Sequence, residues 1–286
     1  MNYVEKAYTY SVAEDKVLGV IAMPERSNAT GVIIVVGGPQ YRLGCHRQFL
    51  LLSRALARAG YPVMRFDYRG MGDSTGDLRN FEVINEDIGA AIDTFLARCP
   101  QVERVVLWGL CDGASSSLLY WDEMRDVRIA GMVLLNPWVR SVTSLAKTQI
   151  KHYYGQRLFQ ANFWHKLLTG KLGIGRALGG LIGSVKNARQ KSGGSGQNSV
   201  LPFHKKMARG LASFPGQVLI LLSGNDYTAK EFTESVRGDP IWECCLKRPN
   251  VTQNEIPEAD HTFSSAEWRG QVEKITLQWL DKRAGQ

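Results

Sequence analysis

No stretch of the chain approaches the roughly eighteen uninterrupted apolar residues that a membrane-spanning helix needs. The opening residues, MNYVEKAYTYSVAEDKVLGV, show no basic segment followed by an apolar one, so no export signal is expected. Cysteine is scarce as well. The five thiols, Cys45, Cys99, Cys111, Cys244 and Cys245, are odd in number and lack CxxC spacing. Without an export signal, that pattern argues against a disulfide framework or a zinc site and for reduced thiols in a cytoplasm. No cofactor-binding pattern and no internal repeat is found, so neither a cofactor nor a metal is expected.

The sharpest absence is local. From Arg140 to Gly216 there is no aspartate or glutamate, against thirteen lysines and arginines. The formal charge of +8 therefore belongs to this segment, and the remainder carries 22 basic against 27 acidic residues, a balance of −5. Any electrostatic argument has to be made about the segment alone.

What is present is enough for one sizeable core: 286 residues, 44% of them apolar. Val32–Val36 reads as a buried strand running into Gly37-Gly38-Pro39, and the residues up to about Met23 read as an antiparallel hairpin. A helical pattern covers His46 to Ala59 and stops at Gly60, and Tyr61 to Phe66 is the next strand. Asn85–Arg98 is helical, Arg104–Trp108 a strand, Ala114–Met124 a helix and Ile129–Leu135 a strand. The alternation resumes with strands at Gln217–Leu222 and Val251–Ile256 and an amphipathic helix over Glu267–Leu280. Such alternation predicts a mostly parallel central sheet with helices on both faces. The expected organisation is one α/β core, residues 1–139 and 216–286, interrupted after the sixth strand by a basic, Gly-rich insertion over 140–215. Within it, KSGGSGQNS (191–199) has linker composition.

Gly109-Leu110-Cys111-Asp112-Gly113 lies directly after a strand and directly before a helix. It matches the nucleophile elbow G-x-S-x-G of the α/β-hydrolase fold, with cysteine in the serine position. Side chains at Gly109 or Gly113 would strike flanking backbone. The turn lifts the nucleophile off the sheet and sets the Asp112 amide at a helix N-terminus, where it can stabilise an oxyanion or a thiolate.

The acid and base of such a site follow later strands. QVLILL leads to Asp226, and VTQNEI leads to His261, the only one of five histidines beyond His204. Asp239 and Asp260 are the other acids available, and Asn136 occupies the alternative acid position without a charge. The second oxyanion donor should come from the loop after Val36. Pro39 has no N–H, which leaves Gln40 first and Tyr41 second. A free thiol titrates near ~8.5, and His261 together with the helix N-terminus is expected to favour the thiolate.

The Cys111-Asp112-Gly113-Ala114 elbow, the Gly37-Gly38-Pro39-Gln40-Tyr41-Arg42 loop and the run Asp67-Tyr68-Arg69-Gly70-Met71-Gly72-Asp73-Ser74 together resemble the exosortase A system-associated hydrolases, type 1, of the α/β-hydrolase superfamily. The resemblance implies a bacterial enzyme of exopolysaccharide and protein-sorting gene neighbourhoods, and implies no substrate. Two activities fit the residues: hydrolysis of a carboxylic ester or thioester through an acyl-thioester on Cys111, or transfer of that acyl group to an acceptor other than water. The substrate expected is a small-molecule or lipid-linked acyl compound. A non-catalytic, hydrolase-like binding protein is the reading that the Cys–His–Asp set argues against.

Thirteen cations with no carboxylate favour an anionic partner. The mixture of Phe163, Trp164, Leu167, Ile174 and Leu178 with lysines and arginines resembles an interfacial amphipathic helix, so the insertion is expected to act as a lid that touches an anionic membrane at its inner face. A basic cap packed on the acidic remainder is the alternative. Nucleic acid is disfavoured because no binding motif accompanies the charge. If the segment is interfacial, the protein should co-sediment with anionic vesicles, release as salt rises, and ignore neutral ones. Glutamate at Lys166, Lys171 and Arg176 should abolish the binding, and wild type left in the supernatant at every salt concentration would make the segment a basic cap only.

Overall fold

The structure, a computed structural model, describes residues 1–38, 40–139 and 201–284. Its strands are β1 (Tyr3–Val12), β2 (Asp15–Pro24), β3 (Thr30–Val35), β4 (Val63–Asp67), β5 (Arg104–Leu110), β6 (Ile129–Leu135), β7 (Gln217–Ser223) and β8 (Val251–Ile256). Its helices are α1 (Gln48–Arg58), α2 (Asn85–Arg98), α3 (Asp112–Met124), α4 (Phe203–Ser213), α5 (Tyr227–Val236), α6 (Pro240–Leu246) and α7 (Ala266–Ala284). The eight strands form one sheet in the order β1-β2-β4-β3-β5-β6-β7-β8. The hairpin β1–β2 joins β4 antiparallel, and all later neighbours run parallel. This is the α/β-hydrolase fold that the alternation of strands and helices predicts.

The parallel strands are apolar throughout because both faces of the sheet are covered. Within each strand the period of two still sorts the side chains. Ile33, Val35, Val105, Leu107, Met132, Leu134, Val218 and Ile220 enter the cluster built with Ile88, Ile92 and Phe95 of α2, Leu118 of α3 and Met207 and Leu211 of α4. Val32, Ile34, Val36, Val106, Trp108, Leu110, Val133 and Leu135 face Phe49, Leu52 and Leu56 of α1 and Val272, Trp279 and Leu280 of α7. Helix α4 falls within the stretch expected to be inserted, yet Met207, Ala208 and Leu211 are fully buried in the first of these clusters. The aromatic, basic and linker-like parts of that stretch, 140–200, lie outside the described residues. Among the described residues no helix is long and apolar enough to cross a membrane.

The helix expected from His46 begins two residues later, at Gln48. His46 and Arg47 adopt positive φ, 52° and 59°, so the chain makes a short 3-10 turn at Cys45–Arg47 before α1 starts.

The run after β4 is a brace. Asp67 accepts from the Arg42 amide at 2.6 Å and the Asp73 amide at 3.1 Å and also pairs with the Arg42 guanidinium, which fastens the loop after β3 to the end of β4. Ser74 Oγ donates to the Asp67 carbonyl at 2.6 Å and accepts from the Leu18 amide at 2.9 Å. Arg69 is buried and bonds Asp87 of α2 in two-pronged fashion, Nε to Oδ1 at 3.0 Å and Nη2 to Oδ2 at 2.9 Å, while the Arg69 amide donates to Oδ1 at 2.9 Å.

A buried pair of this kind costs most when one member is removed, because the other charge remains desolvated. Asp87→Ala should lower unfolding free energy in urea by about 3–5 kcal/mol, and Arg69→Met with Asp87→Leu should recover most of the loss. A loss in Asp87→Ala below ~1 kcal/mol would show that Glu86, which meets Arg69 Nη2 at 2.6 Å, or water keeps the guanidinium partnered.

Candidate active site

Cys111 stands at the junction of β5 and α3 with φ 56° and ψ −119°, a conformation that side-chain-bearing residues rarely adopt and that costs about 1–3 kcal/mol. Its amide donates to the Leu135 carbonyl at 2.8 Å, and its carbonyl accepts from Ala114 at 3.0 Å and Ser115 at 3.1 Å, so both sides of the strained residue are tied down. The flanking glycines answer a need for space. A Cβ on Gly109 would lie 2.3 Å from the Gly113 carbonyl carbon, and one on Gly113 would lie 2.2 Å from the Val35 oxygen. The thiol is half-buried, and its hydrogen bond goes to Asp112 Oδ1, 3.8 Å away.

Asp226 leaves the end of β7 and caps α5, accepting from the amides of Thr228 at 3.1 Å and Ala229 at 2.9 Å. Its Oδ2 also meets His261 Nδ1 at 2.9 Å. The other two acids are committed elsewhere. Asp239 caps α6 through the Ile241 amide at 3.0 Å and pairs with Lys205 at 2.6 Å. Asp260 accepts from the amides of Thr262 at 3.1 Å and Ser264 at 3.0 Å, which folds the histidine loop but leaves the ring to Asp226. With Nδ1–H donated to the carboxylate, Nε2 is the ring nitrogen left to act as acceptor. The Cys111 thiol bonds Asp112 and not His261.

The loop expected to supply the second oxyanion donor packs on the elbow. The Gln40 amide donates to the Gly38 carbonyl at 2.8 Å, and the Gln40 side chain accepts from the Cys45 amide at 2.9 Å, so Gln40 spends its groups on the loop itself. Tyr41 is exposed, and its carbonyl takes the Gly44 amide at 2.8 Å. The Gly38 backbone comes near the Asp112 carboxyl and holds down its affinity for a proton. It gets there because Gly37 lies flat on the elbow: a Cβ at Gly37 would be 2.4 Å from the Gly113 nitrogen and 3.0 Å from the Asp112 nitrogen.

Asn136 is a second residue whose part went unread. It is fully buried with φ 43°, and Nδ2 donates to Ser223 Oγ at 2.7 Å and to the His261 carbonyl at 3.1 Å. Its Oδ1 accepts from the Ser223 amide at 2.9 Å. The end of β6 thus binds the loops that carry Asp226 and His261 into one body. Asparagine suits the position because it tolerates positive φ and offers both a donor and an acceptor.

The electrostatics run against a ready-made thiolate. Burial pushes the Cys111 thiol well above the ordinary thiol range, and the Asp112 carboxylate pushes it further, while the Asp112 amide opposes both. Asp112 is itself raised by burial, against the Gly38 amide, the thiol and His261. Asp226 goes the other way. Burial raises it, but the bond to His261 and the two cap amides outweigh burial and hold it below the usual carboxylate range.

A strand-to-helix elbow with a facing histidine–carboxylate pair on this sheet defines the α/β-hydrolase superfamily. The profile of the serine aminopeptidase S33 family matches residues 28–172, and the chain belongs to that family of hydrolases. No curated protein matches at a significant level. Among solved structures, the chain is similar to the Pyrococcus furiosus esterase Pf2001, with TM-score 0.64 and 18% identity over 98% of this chain and 91% of that one. It is also similar to the Pyrococcus horikoshii acylaminoacyl peptidase, with TM-score 0.64 and 17% identity over 98% of this chain and 42% of that one. An α/β serine hydrolase homologue from Coxiella burnetii gives TM-score 0.59 and 14% identity over 96% of this chain and 97% of that one. The family is named for serine, and this chain carries Cys111 at the elbow.

A raised thiol is less ionised than a free cysteine at any neutral pH, and its thiolate fraction grows only as pH climbs past the ordinary range. Iodoacetamide at neutral pH should therefore modify the exposed Cys45 and Cys244 before Cys111. Labelling of Cys111 should accelerate steeply in alkali, as peptide mass spectrometry would read. Cys111 labelled first at neutral pH would mean that the thiolate is preformed.

Proposed function

We propose that the chain cleaves a carboxylic ester or thioester, with Cys111 as nucleophile, His261 as general base and acid, and Asp226 as the group that orients the imidazole. The observation that carries this reading is the strained Cys111 at the elbow, on a site whose histidine already holds its carboxylate at 2.9 Å. Strain of this order persists where surrounding structure enforces it, and here it presents a thiol at the mouth of the sheet.

Because the thiol is held protonated, attack and deprotonation belong to one event. His261 Nε2 takes the Sγ proton as sulfur bonds to the acyl carbon, and Asp226 stabilises the imidazolium that results. The carbonyl oxygen becomes an oxyanion facing the Asp112 amide and a loop amide, for which Gly38 is better situated than Gln40 or Tyr41. The imidazolium returns its proton to the departing alcohol or thiol, which leaves an acyl-thioester on Cys111. Water then gives a proton to His261 and its oxygen to the acyl carbon, the acid departs, and Sγ regains its proton.

Transfer to an acceptor other than water is the second reading. Cysteine in a serine family favours it, since a thioester passes its acyl group to amines and thiols more readily than an oxygen ester does. On the resemblance carried by the GGPQYR loop and the GLCDGA elbow, the activity would serve exopolysaccharide- and exosortase-linked metabolism in a bacterium, acting on a small-molecule or lipid-linked acyl compound.

Intact-mass measurement with a panel of acyl esters and thioesters should show one acyl adduct, mapped to Cys111, whose fate with water or added amines and thiols separates hydrolysis from transfer. Cys111→Ala should give no adduct and no turnover while keeping the fold. Cys111→Ser should lose at least about a hundredfold, because a hydroxyl is far less acidic in a site shaped for sulfur. His261→Ala should approach the loss in Cys111→Ala, and Asp226→Asn should leave a measurable remnant. Undiminished turnover in Cys111→Ala would overturn the reading.

A further inference from the structure

The bond from Asp226 to Nδ1 sets which way the His261 ring faces. It does not set where the backbone that carries the ring stands. The loop between β8 and α7 is folded on itself by Asp260, and its start is tied to the acid loop by the Asn225 amide on the Ala259 carbonyl at 3.0 Å. At His261 itself the tie is Asn136, whose Nδ2 donates to the His261 carbonyl at 3.1 Å.

Asn136 is well fixed for that task. Its side chain is fully buried, its second amide hydrogen goes to Ser223 Oγ at 2.7 Å, and its Oδ1 takes the Ser223 amide at 2.9 Å. The sheet does not need the third bond, since the pairing of β6 with β7 already runs to Leu135 and Leu221. The same strand end also holds the nucleophile. The Leu135 carbonyl accepts from the Cys111 amide at 2.8 Å, and Asn136 is the next residue along. The thiol and the imidazole are therefore both measured from one point of β6. Their separation matters, because a misplacement of about 1 Å can cost on the order of a hundredfold in rate.

We infer that Asn136 is a positioning residue for the reaction: its bond to the His261 carbonyl sets how far the imidazole stands from Cys111. The inference rests on Cys111 being the nucleophile and His261 its base.

The test follows nitrophenolate release from p-nitrophenyl acetate in wild type, Asn136→Gly and Ser223→Ala. Glycine accepts the φ of 43° and removes the whole side chain, whereas Ser223→Ala removes one hydroxyl and leaves the bond to His261. Both variants loosen the end of β6 from β7, so both should unfold at lower urea concentration, and that readout does not separate them. Turnover does, since acylation and deacylation both pass a proton through His261. Asn136→Gly should lower kcat and kcat/KM together by about ten- to a hundredfold, as expected when the lost contact serves only the transition state. Ser223→Ala should turn over close to wild type. Asn136→Ala, which stiffens the chain where glycine loosens it, carries the test if circular dichroism shows that Asn136→Gly does not fold. Unchanged kcat in the Asn136 variant, or an equal loss in Ser223→Ala, would overturn the inference and leave Asn136 a clamp on strand ends. Turnover that persists in Cys111→Ala would instead overturn the reading beneath it.

Discussion

Backbones meet closely at the elbow: a Cβ on Gly113 would lie 2.2 Å from the Val35 oxygen, and one on Gly37 would lie 2.4 Å from the Gly113 nitrogen. Everything that could do chemistry is registered to that contact. The parallel pairing of β3 with β5 brings Val35 level with Gly109, so the loop leaving β3 and the turn leaving β5 have to share one small volume. The turn fits only as a strained one, and strain survives because Leu135, Ala114 and Ser115 clamp Cys111 on either side. Fully packed strands beneath the turn leave it no softer alternative.

Around that contact the protein sorts its acids by the company they keep. Asp67 and Asp87 meet arginines and hold loops in place, Asp239 and Asp260 fold turns, and Asp226 holds an imidazole. Asp112 lies against the Cys111 thiol: burial raises the affinity of both for a proton, the Asp112 charge raises the thiol further, and the bond from the thiol lowers Asp112. A helix N-terminus alone would favour a thiolate, and burial, with the carboxylate one residue along adding to it, reverses the outcome.

Much of the fold was legible because its signals are redundant along the chain. Ile129–Leu135 and Val251–Ile256 are strands with the bounds their composition suggests, and Asn85–Arg98 is a helix likewise. The elbow was legible because glycines two residues either side of a cysteine, between a strand and a helix, have few other uses. Helices α5 and α6 were not read. Asp226 was taken as the acid of a catalytic site, and the same carboxylate is also the N-cap that starts α5, while α6 is a single short stretch behind Asp239-Pro240. The close packing of Gly37 on the elbow was not legible, because it is a tertiary contact between two loops. Asn136 looked like an acid without its charge, since a clamp across three loops leaves no trace in local pattern.

Asp226 accepts two helix amides with the same carboxylate that holds His261. The residue is thus answerable to two constraints at once, the starting point of α5 and the bearing of an imidazole. Lengthening it to glutamate would keep the charge and spoil both geometries. Drift to a residue that cannot cap would cost α5 about 0.5–2 kcal/mol as well as the hold on the imidazole, and asparagine alone could shed the charge and keep the cap. In such a protein the machinery is preserved partly by selection for stability, and an intact acid–histidine pair would outlast the disappearance of its substrate.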